Sequence, residues 1–323
     1  MKRISPWLTL LVLAPLLGEI VSGHQAPIEL CNPLSVLLLM LPYGFGALLC
    51  RELAIRWRKS WPSLLLLGIA YALYEEGIVV RSIFNPAWTE LEAMEKYSHV
   101  FGVTWTYALI LIHFHVLVSI AASIILAEIL HPAQRWESWL GKKGLAACVV
   151  GLLLWFPAGW IMTDFRPSLG VYLLCMAVIA GLIFAAHKIP AGFPAPKIKP
   201  VPRPAFFLLL GFFNMTVFFL VVYVLPEYWL LPLWTTFAGL LALDALTLGL
   251  LLCWSGGGGA WNDLHRLGWV AGGLGFFILF NIASDLEQFE GKSLVAIVAI
   301  AGLWLLRRRI KVQTVVPPEH PHA

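Results

Sequence analysis

The chain has 323 residues, of which 60% are hydrophobic and 12% charged, with a mean hydropathy of +0.82. A soluble domain carries about 25% charged residues, so these figures exclude a water-soluble globular protein. The net charge of +4 is small, and no nucleic-acid partner is expected. Five scattered cysteines without a CxxC pair exclude a disulfide framework and a cysteine-based zinc site.

A membrane span needs about 20 apolar residues. Ten candidate runs occur, at 7–22, 33–50, 61–80, 102–130, 144–163, 168–187, 205–225, 230–254, 267–283 and 293–306. They predict an all-α fold, a polytopic transmembrane helical bundle of about ten spans. The first run follows Lys2 and Arg3 and ends in Val21-Ser22-Gly23. It reads either as an uncleaved first span or as a signal peptide, whose removal would leave nine spans.

With the N-terminus in the cytoplasm and alternating spans, 18 of the 22 lysines and arginines fall on the inner side. That bias predicts a multi-pass protein of the cell (plasma) membrane with both termini cytoplasmic. Between the third and fourth runs lies the longest outer loop, 81–101. There Asn85-Pro86 breaks the helix. Trp88, Leu91 and Met94 recur at i, i+3, i+6, predicting a short helix on the outer interface, either an anchor or a lid.

Residues 188–204 are Pro-rich and basic and read as an extended cytoplasmic linker. This divides the chain into a six-span region (1–187), the linker, a four-span region (205–306) and a basic tail (307–323). SGGGG at 255–259 reads as a flexible turn. Gly268, Gly272 and Gly275 predict a smooth face for close helix packing in the ninth run.

The polar residues inside the spans carry the functional reading. Glu75 and Glu76 stand side by side late in the third run, after Tyr71 and Tyr74 and before Arg81. A buried ionised carboxylate costs several kcal/mol unless it is paired, protonated or metal-bound, so an ionisable residue in a span is a site hypothesis by default. On the fourth run, His113 and His115 project about 200° apart around a helix. His115 is the favoured partner because Ser119 and Ala122 continue its face. Glu19, Asn214, Asp244 and Asn281 are also buried in spans, and most of these groups fall in the outer half of the bilayer.

Glutamate and histidine can hold a divalent metal such as zinc, with Glu76, His115 and His113 as the candidate ligands. Without metal, a buried glutamate with a histidine partner can activate water. In the plain structural alternative, a glutamate pairs with Arg81 and His115 ties two helices together.

A Glu-Glu pair followed by Arg on one span, with a His on the next, resembles the CAAX-protease and bacteriocin-processing family of intramembrane peptidases. The resemblance implies a water-activating role for Glu75, Glu76 and His115, with Arg81 in the same motif. Four residues separate Glu76 from Arg81 where that family has three, and Leu111 stands where it has Phe. The chain as a whole, through GEIVSG, NPLS, LLCRELAIRW and YEEG, resembles uncharacterised bacterial multi-pass membrane proteins.

Three functions are therefore expected, in this order. The first is a membrane-embedded hydrolase, peptidase-like, acting on a peptide or lipid-like substrate in the outer half of the bilayer. There Glu75, Glu76 and His115 would be catalytic and Arg81 would balance charge. The second is a proton- or cation-coupled transporter with Asp244 deeper in the pathway, a reading that a polar path from Asp244 to the cytoplasm would move to first place. The third is a non-catalytic scaffold.

Overall fold

The computed structural model describes residues 4–91, 98–193, 200–224, 228, 232–255, 261–287 and 290–315. Among these, helices make ten passes between two ends of one bundle. The first pass is α1 (Pro6–Pro15), prolonged by a π-helical stretch at Leu16–Val21. The second joins α2 (Pro33–Leu39) to α3 (Phe45–Arg56) through a π stretch at Met40–Gly44. The third is α4 (Trp61–Leu73) with a π stretch at Tyr74–Val79. The fourth runs from α5 (Trp105–Phe114) through a π stretch at His115–Ala122 to α6 (Ser123–Leu130).

The remaining passes are α7 (Lys142–Met162), α8 (Leu169–Lys188), α9 (Pro204–Phe219, then π to Val224), α10 (Leu233–Ser255), α11 (Asp263–Glu287) and α12 (Lys292–Val315). All ten runs read from hydropathy are helical. Eight of the helices are long and apolar enough to cross a membrane, Pro6–Val21 is shorter, and α12 carries Arg307, Arg308 and Arg309 within its length.

Burial sorts these passes into layers. The fourth is almost wholly buried and forms the axis, whereas α7, α8 and α10 bury little of their surface and expose Leu, Ile and Phe side chains as a lipid-facing rim requires. The first pass belongs to the interior, with Leu10 and Ala14 fully buried. The glycine face predicted on the ninth run is used. A Cβ on Gly272 would stand 2.1 Å from the Leu208 carbonyl oxygen, and one on Gly268 2.5 Å from that of Pro204. Only glycine lets α9 and α11 approach so closely.

One end of the bundle is strongly basic and is held by a buried ionic network. Glu128 is buried and pairs with Arg51 (3.4 Å) and with Arg266. Asp263 pairs with Arg135 (2.6 Å) and Arg266 (3.3 Å). Glu52 pairs with Arg51 and Arg56, each at 3.3 Å. Removing one member would strand a buried charge on its partner.

At the opposite end the predicted interfacial helix does not form over its described part. Residues 82–91 are a succession of turns that fold inward. Ile83, Phe84 and Leu91 are buried, and Tyr107 donates a 2.8 Å hydrogen bond to Glu90. The Asn85-Pro86 break extends through the whole stretch, because Asn85 accepts from the Ala87 amide (3.1 Å) in an Asx turn. Met94, residues 194–199 of the central linker and the glycine turn (256–259) lie outside the described residues.

Candidate functional site

Four of the five π-helical stretches converge on one cluster. The first supplies Glu19, the second Tyr43, the third Glu75 and Glu76, and the fourth His115 and Ser119. A π turn admits an extra residue and turns the following side chains out of the α-helical phase. Two of these turns have a visible cause. Pro15 immediately precedes the first and Pro42 lies within the second, and a proline removes an N–H and crowds the preceding turn.

His115 is the hub. Its Nε2 lies 3.0 Å from Glu76 Oε1, and its Nδ1 lies 3.2 Å from Ser119 Oγ and 3.8 Å from Glu75 Oε2. Tyr71 donates to Glu75, Ser82 donates to Glu76 Oε2, and Tyr43 donates to Glu19 Oε1 at 2.5 Å. The imidazole stacks on Tyr43 (5.9 Å, 29°) and meets the edge of Tyr71 (5.7 Å, 83°).

Both tyrosine rings are clamped by glycine. A Cβ on Gly18 would stand 2.6 Å from Tyr43, and one on Gly46 would stand 2.3 Å from Tyr71. Exposure is graded across the cluster. The Glu76 side chain is 14% exposed, that of Glu75 5%, and that of His115 2%. Glu76 is thus the member nearest to water, and Ser82, on the inward-folded 82–91 segment, covers it.

Glu75, Glu76 and His115, separated by some 40 residues, therefore meet, and Ser119 continues the His115 face as the spacing predicts. Glu19 comes close enough to interact with both His115 and Glu76. Three carboxylates surround a single imidazole, a combination that cannot be fully ionised at low cost in an apolar setting.

Arg81 and His113 stand apart. The chain reverses at Arg81, whose φ of +65° is unusual for a residue with a side chain. Its guanidinium donates to the carbonyls of Gly159 and Thr163 (3.2 Å to the latter), so Arg81 staples the loop to α7 and does not balance the glutamates. His113 points the other way round the helix from His115. Its Nδ1 lies 3.1 Å from Asp244 Oδ1, and its ring stacks on Phe218 at 3.7 Å.

The predicted ligand set of Glu76, His115 and His113 is thus split between two places. Among the described residues no group of three or more His, Cys, Asp or Glu is arranged to hold a metal ion.

The His113–Asp244 pair is a second polar centre that spacing alone did not reveal. Asn214 joins it with hydrogen bonds of 3.3 Å to both Asp244 and Thr247. All four residues line a mostly apolar cavity of about 350 Å³, walled by residues such as Leu65, Ile69, Val116 and Leu248. A wider cavity of about 810 Å³ opens at the basic end. Trp61, Leu252, Ser255, Trp261 and Arg266 line both, so the two cavities adjoin.

A model of an uncharacterized membrane protein family matches residues 8–245, a stretch that includes the Glu75–Glu76–His115 cluster and the His113–Asp244 pair. No curated protein and no solved structure matches the chain.

Proposed function

The chain belongs to an uncharacterized membrane protein family, and from that premise we propose that it is a proton-coupled carrier whose proton-binding centre is the Glu75–Glu76–His115 cluster. One observation carries this reading: the partly exposed Glu76 is hydrogen-bonded at 3.0 Å to the buried His115, whose other ring nitrogen lies 3.8 Å from the buried Glu75. A proton taken up by Glu76 passes to Nε2 of His115. The imidazolium then gives up its Nδ1 proton toward Glu75, 3.8 Å away. Tyr71 and Ser82 donate to the two carboxylates and steady their charged forms.

The second centre supports the same reading. His113 and Asp244 line the narrow cavity beside the basic end, which on this reading faces the cytoplasm, as its excess of positive charge favours. His113 and His115 present the two centres on opposite sides of one helix.

Infrared titration of the purified protein tests the assignment. A protonated-carboxyl band is expected in the wild type and expected to be lost or displaced in Glu76→Gln and His115→Gln. The same variants in proteoliposomes should lose proton uptake. A band and a flux that are identical in all three proteins would refute the carrier.

A hydrolase is the second reading, favoured by the 3.0 Å Glu76–His115 contact, which is the pairing a water-activating base needs. It inherits the resemblance to the CAAX-protease and bacteriocin-processing family. Turnover of a peptide or lipid-like reporter that is lost in His115→Ala, with no proton flux in the wild type, would put it first.

A further inference from the structure

We infer that the two adjoining cavities at the basic end are a binding site for an anionic lipid, its phosphate headgroup in the wide basic chamber and one acyl chain in the narrow apolar one. The inference does not depend on proton transfer at Glu76. Five basic residues (Arg51, Arg58, Lys59, Arg135 and Arg266) line the wide chamber, against the acidic Glu128 and Asp263. The surplus is positive in a concave, protein-walled space, which focuses the field on an anion.

The narrow chamber behind it is walled chiefly by leucine, isoleucine and valine from α4, α5 and its π extension, and α10. Its lining runs along α10 from Ser255 to Leu241, roughly 21 Å at the α-helical rise. That exceeds half of a 30 Å hydrocarbon core, depth enough for one lipid chain in its leaflet. The His113–Asp244 pair lies about one turn short of its far end.

Arg58 adds an independent sign. It closes α3 with a φ of +56°, with the Lys59 amide bonded to the Ala54 carbonyl (2.8 Å) and the Arg58 amide to that of Ile55 (3.0 Å). This is the helix-ending motif whose left-handed position glycine normally fills. An exposed arginine held there, at the wall of the basic chamber, places a guanidinium where a headgroup enters and forgoes the easier residue.

Native mass spectrometry of the full chain in detergent, with dioleoyl phosphatidic acid and dioleoyl phosphatidylcholine as probes, tests the site. One phosphatidic acid per protein is expected, with phosphatidylcholine retained far more weakly. A Lys or Arg near an anionic headgroup is worth about five-fold in affinity, so Arg58→Ala with Lys59→Ala should weaken retention roughly thirty-fold. Ala245→Trp, or Leu248→Trp if the first misfolds, should exclude the lipid by filling the narrow chamber.

Arg58→Gly keeps the test clear of folding failure, because glycine suits that backbone. It should bind phosphatidic acid more weakly while melting no lower than the wild type. Equal retention of both lipids, binding that survives Ala245→Trp and Leu248→Trp, or binding unchanged by loss of Arg58 and Lys59 would overturn the proposal. Displacement of phosphatidic acid by inorganic phosphate would overturn it too, since the site would then read the phosphate alone.

Discussion

The clamping of Tyr71 by Gly46 leads to a quantitative prediction. In Gly46→Ala the new Cβ would meet Tyr71 Cε2 at 2.3 Å and Cδ2 at 2.7 Å, whereas ordinary contact begins near 3.4 Å. The ring must therefore retreat by about 1.1 Å, and it is fully enclosed. Overpacking of this kind costs about 1–3 kcal/mol. Moving the ring also stretches the Tyr71–Glu75 hydrogen bond, and a hydrogen bond to a charged group is worth about 1.5–3 kcal/mol. Against this stands the gain of about 1 kcal/mol for alanine over glycine in a helix. The net loss is roughly 1.5–5 kcal/mol.

Gly273→Ala, on α11, is the control, because a Cβ there meets nothing within 4 Å. It should be neutral or stabilising by up to about 1 kcal/mol. Thermal unfolding of the two variants in the same detergent, followed by tryptophan fluorescence, should place Gly46→Ala well below the wild type and Gly273→Ala at or above it. The carboxyl band of Glu75 should shift only in Gly46→Ala. If both variants melt with the wild type, the glycine does not set the tyrosine, and the site is looser than its geometry implies.

Glu128→Gln should be among the most damaging single substitutions at the basic end, costing about 3–5 kcal/mol, because it leaves the buried Arg51 and Arg266 without their shared carboxylate; denaturant or thermal midpoints would show it. Arg58→Gly should raise the unfolding midpoint, since the left-handed conformation costs a side-chain-bearing residue about 1–2 kcal/mol; a lower midpoint would refute the strain. Tyr107→Phe should change global stability by about 1 kcal/mol or less, yet free residues 82–91 from their hold on Glu90. Hydrogen exchange in that segment should rise several-fold, and unchanged protection would show that burial of Ile83 and Leu91 suffices.

The bundle was legible because hydropathy is a property of single segments. All ten runs are helices, and their alternation between a basic and an acidic end follows the lysines and arginines. The heart of the site was legible for the same reason. Glu75, Glu76 and His115 stand out as costly in an apolar setting, and Ser119 follows His115 by helical spacing. Tyr43 was missed because a tyrosine within a span is unremarkable until Glu19 is seen to lie beneath its hydroxyl.

Arg81 was misplaced because its position just after the glutamates in the sequence was taken for a place beside them in space. The chain turns at that residue with a positive φ, and no residue type other than glycine announces such a turn. The divergence of His113 from His115 was implied by their 200° separation. Its partner Asp244 was not, since which helices are neighbours is decided by packing across the whole bundle.

The π turns give the site an unusual relation to chain length. Each holds one residue more than an α-helix of the same rise would need. Losing any one residue from such a stretch would let it relax to α and swing everything beyond it by about 100°, carrying Glu76 or His115 off the cluster while the apolar surface stays continuous. A single deleted codon would therefore disperse the cluster and spare the membrane protein around it. Substitution scans do not explore that route. Within such a chain the lengths of the first four passes, as much as the identities along them, decide whether the cluster assembles.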